Sequence, residues 1–267
     1  MPVYDRPGAE RRAEAARKRA EAERHKARGN QCYLADDFEA ALLEYEAAAA
    51  LVPTSPVYAT NAAQACLRLA RYRDAADAAL RAVALDPRYA KAPARAGLAL
   101  MRLGRLAEAR VHYSTALALD PRSGSLQSEV ADLGHAETWA KSLEAALAGK
   151  KWQAALEAAD AGLRYSPASS NILLSRVRAL GGLRRFVDAV AQCRTLTAPR
   201  AAFALEPGAP SLSHVHQLEA DALYQSGDME GAEQALLASL RLDPDSAPCI
   251  AALRRVRKQV RVCLVTS

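Results

Sequence analysis

A short helical phrase that is rich in alanine and ends in proline recurs at a fixed interval in the first half of the chain. It occurs as AAALVP up to Pro53, as AVALDP up to Pro87 and as ALALDP up to Pro121, so that successive prolines are 34 residues apart. Self-similarity at one fixed period predicts a stack of equivalent supersecondary units, because each unit must bury its apolar face against the next. No other feature of the sequence limits the fold as strongly.

Small and large residues also recur within each period. When each repeat is numbered so that its proline is position 32, the repeats begin at Ala22, Pro56 and Ala90. Small residues at positions 8, 20 and 27 allow two helices to approach closely, a large residue at position 17 packs beside them, and the proline ends the second helix. A 34-residue period of helix pairs is typical of tetratricopeptide repeats. These positions hold Gly29, Ala63 and Gly97; Phe38, Tyr72 and Leu106; Ala41, Ala75 and Ala109; Ala48, Ala82 and Ala116.

The same pattern resumes after a break, with more variation. Trp152, Ala155 and Pro167 occupy positions 17, 20 and 32 of a fourth repeat, and two further repeats begin at Ser170 and Ser213. The predicted fold is therefore all-α, an α-solenoid of antiparallel helix pairs in two three-repeat arrays with a C-terminal capping helix. The predicted segments are a charged lead-in helix (1–21), the first array (22–123), a divergent second array (124–245) with a loop insertion at 197–212, and the capping helix and tail (246–267).

Composition and charge indicate the cellular compartment of the protein and the charge of its partner. The formal net charge is +6, which suits an acidic partner without identifying one. The five cysteines form no Cys-x-x-Cys pair, and we interpret them as free thiols in a reducing compartment. The N-terminal region lacks the apolar core of a signal peptide, and no apolar run approaches the roughly 18 residues of a membrane span. We therefore expect a soluble, cytoplasmic protein that does not associate with membranes.

One face of the first helix of each repeat carries cations and amides. Positions 2, 5, 6, 9, 12 and 13 share a face because residues three and four apart on a helix are neighbours. Arg68 and Arg102 occupy position 13, and we expect a cationic face with two amides. Lysine and arginine donate charge-assisted hydrogen bonds to carboxylates, and asparagine both donates and accepts. This chemistry suits the C-terminal carboxylate of a peptide. The five central residues are Lys26, Asn30, Asn61, Lys91 and Arg95.

These five residues resemble the dicarboxylate clamp of tetratricopeptide-repeat co-chaperones such as the Hsp organising proteins. That pattern has Lys-x3-Asn in one repeat, Asn in the next and Lys-x3-Arg in the third, which are the residue types and spacings found here. The resemblance implies that the first array binds the C-terminal EEVD tails of the 70-kDa and/or 90-kDa heat-shock proteins. It also implies that Tyr33 and Leu67 line an apolar pocket for the last side chain of the tail, with Gln64, Arg68 and Arg102 supporting the groove.

Over its whole length the chain resembles the N-terminal part of the J-domain co-chaperones that carry tetratricopeptide repeats. It contains no His-Pro-Asp triplet, so we expect no J domain and no stimulation of a chaperone ATPase. Three interpretations of the chain stay open: a natural short form, a divergent relative and a truncated gene model. At the clamp-equivalent positions the second array has Ala140, Glu144, Ser175, His214 and Leu218. We interpret that array as structural or as a different protein-binding surface.

Catalytic motifs are missing from the sequence. It contains no Gly-x-Ser-x-Gly, Gly-x-Gly-x-x-Gly or Walker A pattern. His214 and His216 point apart on a helix, which disfavours a metal site. We therefore expect no enzymatic activity, cofactor, metal or small-molecule substrate. Two alternatives stay open: a scaffold that binds another acidic protein, and, less favoured, a nucleic-acid binder that uses the basic segment RRVRKQVR at 254–261. The preferred chaperone is also open.

Overall fold

A computed structural model describes residues 6–198 and 211–266, with side chains for 10–198 and 211–261. Every regular element in the described residues is an α-helix, which confirms the predicted all-α fold. The larger part of the predicted loop insertion at 197–212 lies outside these residues. The helices are α1 (Arg6–Leu34), α2 (Phe38–Leu51), α3 (Pro56–Arg68), α4 (Tyr72–Leu85), α5 (Lys91–Leu103), α6 (Leu106–Leu119), α7 (Gly124–Ala148), α8 (Trp152–Leu163), α9 (Ser170–Gly182), α10 (Phe186–Thr197), α11 (Leu212–Ser226), α12 (Met229–Leu242) and α13 (Ala247–Thr266).

The helices pair as the repeat predicts, with one tight turn inside each pair. In every one of these turns the residue at position 15 of the repeat has a positive φ, between 51° and 91°. The positive φ turns the chain back on itself at the end of the first helix, as a left-handed C-cap does. The shared register also identifies the fourth to sixth repeats, where the sequence pattern is weaker. The six residues are Asp36, Ala70, Gly104, Lys150, Arg184 and Gly227.

Close contact between the two helices of a pair explains the small residues. The alanine at position 20 is fully buried in all six repeats. In the third repeat the ring of Tyr113 on α6 lies flat on Gly97 of α5, and a Cβ on Gly97 would lie 2.9 Å from the ring. Gly29 and Tyr45 form the same pair in the first repeat. Glycine is required at these two positions because the backbone of one helix touches an aromatic ring of the other.

The chain forms two compact units, Met1–Gly134 and His135–Ser267. The boundary between them lies inside α7, the helix that begins at Gly124, where the second array is predicted to start. Helix α1 is continuous from Arg6 through the first helix of repeat 1, so the lead-in segment and the repeat share one helix.

The second unit has a continuous apolar core. Trp152, at the start of α8, packs its ring against Gly182 at the end of α9 and leaves no room there for a Cβ. Helix α13 packs on α12 and buries Cys249, Ala252 and Val256. Two of its basic residues have partners: Arg257 Nε donates to Glu233 Oε1 over 2.8 Å, and the Arg255 guanidinium lies 5.6 Å from the ring centre of Tyr224.

Four of the five cysteines lie among the residues whose side chains the structure describes. Cys66, Cys193 and Cys249 are buried free thiols, and Cys32 is half-buried. Burial raises the pKa of the Cys66 thiol to about 11 and that of Cys193 to about 12, which keeps both thiols protonated and unreactive at neutral pH. No helix within the described ranges is long and apolar enough to cross a membrane.

Candidate functional site

Helices α1, α3 and α5 are the first helices of three consecutive repeats, and they carry the residues of the predicted clamp. Hydrogen bonds join α1 to α3 at both ends of their contact. Tyr58 Oη donates to Glu23 Oε1 over 2.7 Å, and Gln64 Nε2 donates to Tyr33 Oη over 2.9 Å. Helix α3 also packs against α5. The three helices therefore present their predicted site residues on neighbouring segments of one unit.

Lys26 has an acidic neighbour on this face of α1. Its ammonium group forms an ion pair with Glu23, one helical turn earlier. The hydrogen bonds from Lys26 and from the Tyr58 hydroxyl lower the pKa of the Glu23 carboxyl group. Glu23 occupies position 2 of the first repeat, so the prediction of a purely cationic face is wrong at this position. The pair fixes the direction of the Lys26 side chain, which is 28 % exposed.

Asn30 is oriented by a tyrosine of the second helix in its repeat. Tyr45 Oη donates to Asn30 Oδ1 over 2.8 Å, and Tyr45 reaches this position because Gly29 leaves space for its ring. With its oxygen engaged, Asn30 offers its amide nitrogen as a donor. Sequence reasoning found Asn30 and Gly29 but missed Tyr45. The signal was present in the large residue at position 24, paired with the small residue at position 8.

Lys91 and Arg95 lie one turn apart on α5 and differ in their surroundings. Lys91 is exposed and has no ion-pair partner among the described residues. Arg95 Nη1 lies 3.5 Å from Glu129 Oε1 of α7, and the two side chains are 30 % and 22 % exposed. Lys91, Arg95 and Glu129 line a small cavity of about 160 Å³. The cationic face therefore ends against an acidic residue that the sequence analysis did not identify.

Glu129 is held in an unfavourable environment. Burial raises the pKa of its carboxyl group, and the charges of Arg95 and Arg102 oppose that rise. The hydroxyl group of Tyr113 on α6, which lies against this carboxyl group, also opposes the rise. Glu129 was missed because it lies outside the repeats, in the first turns of α7, and only the packing of α7 brings it to Arg95.

Tyr89, which precedes α5, is influenced by the charges of cations from the first and the third repeat. Burial raises the pKa of its hydroxyl group, and the nearby positive charges of Arg95 and Lys26 both oppose that rise. The charges of Lys26 and Arg95 therefore both act on the Tyr89 hydroxyl group, although 69 residues separate Lys26 from Arg95 in the sequence.

Two of the predicted supporting residues, Tyr33 and Arg68, form an aromatic cluster with Phe38 at the other end of α1 and α3. The rings of Tyr33 and Phe38 meet edge to face with centroids 5.2 Å apart. The Arg68 guanidinium lies 4.2 Å from the ring centre of Phe38 and also pairs with Asp36 over 3.3 Å. Arg68 therefore already interacts with residues of its own unit. Leu67 and Tyr33 are half-buried, so that part of each side chain is accessible.

The second unit has a different chemistry at the equivalent positions. His214 Nε2 lies 3.0 Å from Arg178 Nη2 and accepts its hydrogen bond, and Leu218 lines an apolar pocket. Ala140, Glu144 and Ser175 complete the set, and they place no cation on that face. Among the described residues no group of three His, Cys, Asp or Glu side chains is arranged to hold a metal ion.

Comparisons with known proteins agree with the repeat assignment. Residues 94–123 and residues 213–246 each match a family model described as tetratricopeptide repeat. The first range covers all but the first four residues of the third repeat, and the second range covers the sixth repeat. A curated relative, "Small glutamine-rich tetratricopeptide repeat-containing protein 2" of Mycosarcoma maydis, is 40% identical over 70 residues, which are 26% of this chain and 20% of that protein. The chain thus spans about a fifth of the length of that relative.

Two solved structures are similar to this chain to different degrees. The crystal structure of the P58(IPK) TPR domain superposes with a TM-score of 0.72 at 19% identity, over 91% of this chain and 66% of that one. The first TPR of Spaghetti (RPAP3), bound to the HSP90 peptide SRMEEVD, is 30% identical over 45% of this chain and 98% of that one, with a TM-score of 0.44. The helix pairs, the repeat matches and the first of these superpositions show an all-α chain built from tetratricopeptide repeats.

Proposed function

We propose that the protein is a chaperone adaptor whose first array binds the acidic C-terminal tail of a cytosolic heat-shock protein of the 70-kDa or 90-kDa class. The observation that carries the proposal is the placement of two amides and three cations on the first helices of three consecutive repeats. Burial raises the pKa of the Tyr89 hydroxyl group, and the positive charges of Arg95 and Lys26 both oppose that rise, which supports their proximity to one ligand. The match to the Lys-x3-Asn, Asn, Lys-x3-Arg pattern supports an EEVD-type tail in particular.

Each group has a distinct role in this proposal. Lys91, which has no ion-pair partner within the described chain, is free to pair with a ligand carboxylate. The Asn30 amide nitrogen donates to the terminal carboxylate, since Tyr45 already engages its oxygen. Asn61, which is half-buried on α3, both donates to and accepts from the ligand backbone. Tyr33 and Leu67 border the space for the apolar side chain of the last residue.

The test is a calorimetric titration of the full chain with a free-acid EEVD peptide and with the same peptide amidated at its C-terminus. We expect binding in the low micromolar range for the free acid and its loss on amidation, because only the free acid presents the main-chain carboxylate. Equal binding of both peptides would instead support the alternative of a scaffold for some other acidic ligand. Binding of neither would contradict the proposal.

Replacing Glu129 by glutamine is expected to strengthen binding of the free-acid peptide. The change removes a like charge from the cavity and frees Arg95 for the ligand. Removal of one partly exposed repulsive contact is worth about 1 kcal/mol, or roughly a fivefold lower Kd. Calorimetry on Glu129→Gln measures it. Glu46→Gln makes the same change in net charge on the exposed side of α2 and serves as the control. Equal affinity of the Glu129 variant and the unchanged chain would show that the acid does not oppose the ligand.

A further inference from the structure

Glu129 of α7 lies beside the two clamp residues of the third repeat. Its Oε1 is 3.5 Å from Arg95 Nη1, and Glu129, Lys91 and Arg95 line one cavity of about 160 Å³. The Glu129 side chain is 22 % exposed, so protein rather than water forms most of its surroundings. A ligand carboxylate that pairs with Lys91 and Arg95 therefore places a second negative charge next to a carboxyl group that has little water around it.

Charged and titratable groups surround Glu129 on α5, on α6 and the turn that follows it, and on α7. Burial raises the pKa of the Glu129 carboxyl group, and Arg95 opposes that rise more than any other group does. The Tyr113 hydroxyl group and the Arg102 charge also oppose it, whereas Asp132 adds to it. The cation that does most to keep Glu129 ionised is therefore one that the proposed ligand engages. The surrounding groups are Lys91, Arg95, Arg102, Tyr113, Asp120 and Asp132.

We propose that Glu129 takes up a proton when an acidic tail binds to the first array, so that the tail binds more tightly as the pH falls from neutral to mildly acidic values. This inference rests on the proposed function, because it concerns a carboxylate ligand at Lys91 and Arg95. The ligand shares or takes over the charge of Arg95 and adds a negative charge nearby, and both effects disfavour an ionised carboxyl group. The proton comes from solvent. Once neutral, Glu129 leaves Arg95 to the ligand.

The direction of the pH dependence follows from proton linkage. The pKa of the Glu129 carboxyl group is raised in the empty groove, and a bound carboxylate raises it further. Between the two pKa values the complex holds more protons than the free chain, so the affinity increases as the pH falls through this range. Glu23 stays ionised there, because the pKa of its carboxyl group is lowered by its bonds to Lys26 and Tyr58. The carboxylates of an EEVD tail ordinarily titrate near about pH 4, which is below this range.

Calorimetric titration of the full chain with the free-acid EEVD peptide measures the effect in two ways. Glu129→Gln is expected to bind about fivefold more tightly than the unchanged chain at about pH 7.5, and less than about threefold more tightly at about pH 5.5, because the unchanged chain gains affinity as Glu129 is protonated. Titrations at about pH 6 in cacodylate and in imidazole buffer separate proton uptake from the heat of binding. We expect the unchanged chain to take up about 0.1–0.4 proton per peptide, and Glu129→Gln to take up nearly none.

Two control variants separate Glu129 from other groups. Glu46→Gln makes the same change of charge on the exposed side of α2, and it is expected to keep both the pH dependence and the proton uptake. Histidine is the side chain that ordinarily changes charge between about pH 5 and 8, and His25 adjoins Lys26 in the sequence. His25→Gln is expected to retain the proton uptake as well, because Glu129 is still present. Circular dichroism at each pH checks that the helix content of every variant is unchanged.

Three results would overturn the proposal. They are a difference in affinity between Glu129→Gln and the unchanged chain that does not narrow at the lower pH, proton uptake that persists in Glu129→Gln, and proton uptake that is lost in His25→Gln. In each of these cases the peptide still binds, so the clamp stands while the role of Glu129 falls. A peptide that binds at neither pH would overturn both proposals, and the two failures are therefore distinguishable.

Discussion

Replacing Lys91 by alanine is expected to abolish binding of a free-acid EEVD peptide at micromolar concentrations while the helix content of the protein stays unchanged. Lys91 is exposed, and among the described residues it has no ion-pair partner whose loss would affect folding. The loss of one charge-assisted hydrogen bond costs about 1.5–3 kcal/mol, which corresponds to roughly a 10- to 100-fold weaker Kd. Calorimetry measures the affinity, and circular dichroism measures the helix content.

Arg95→Ala is expected to remove binding as well, for two reasons. It removes a donor to the ligand, and it leaves the half-buried Glu129 without the cation that lies 3.5 Å away. Because this second effect also weakens the fold, Lys91→Ala is the cleaner variant. Arg81→Ala on α4 removes an exposed cation from a second helix of the repeats and serves as the control. Unaltered affinity of Lys91→Ala and Arg95→Ala would remove the clamp assignment, whatever the fold of the protein.

The largest expected effect on stability concerns the contact between Gly97 and Tyr113. The ring of Tyr113 is 1 % exposed, and it lies against the backbone of Gly97. Tyr113→Ala is expected to lower the free energy of unfolding by about 3–5 kcal/mol, because it leaves a cavity that the helices cannot fill. Gly97→Ala is expected to lower it by about 1–3 kcal/mol, because its Cβ would lie 2.9 Å from a ring that has no room to move.

A double-mutant cycle separates this contact from helix propensity. With Tyr113→Ala already present, Gly97→Ala is expected to be neutral or stabilising, since alanine favours a helix and the ring is gone. The second repeat carries this combination naturally, as Ala63 and Ala79 at the same two positions. Urea denaturation followed by circular dichroism measures all four free energies. Equal costs of Gly97→Ala in both backgrounds would show that the ring contact does not determine the residue at position 8.

Much of the fold could be predicted from residues that repeat at a fixed interval. Helix pairs could be predicted from the three prolines, the alanines at position 20 and the small residues at position 8. These residues recur because each repeat packs its two helices against each other at the same positions. The fourth to sixth repeats, whose pattern is weaker, were recognised from a few positions. They share with the first three repeats a positive φ at position 15. That conformation was hard to predict, since only Gly104 and Gly227 are glycines at this position.

The candidate site was only partly predictable. The five clamp residues follow from helical spacing, because their helices and registers can be counted from the prolines. Their immediate partners do not follow from spacing. Tyr58 joins Glu23 from the next repeat, Tyr45 orients Asn30 from the second helix of its own repeat, and Glu129 reaches Arg95 from outside the repeats. Each of these contacts depends on how helices pack side by side, which a period in one dimension does not contain.

By itself, the sequence determined the repeat, the pairing of helices and the residues that occupy one face of each first helix, because these properties depend on local spacing along the chain. Only the tertiary structure decided how charged that face is and where it ends. Glu23 and Glu129 offset two of its cations, and in the second unit Leu218, at one of the equivalent positions, lines an apolar pocket. Charges and cavities depend on distances between residues that are remote in the sequence, and packing alone sets those distances.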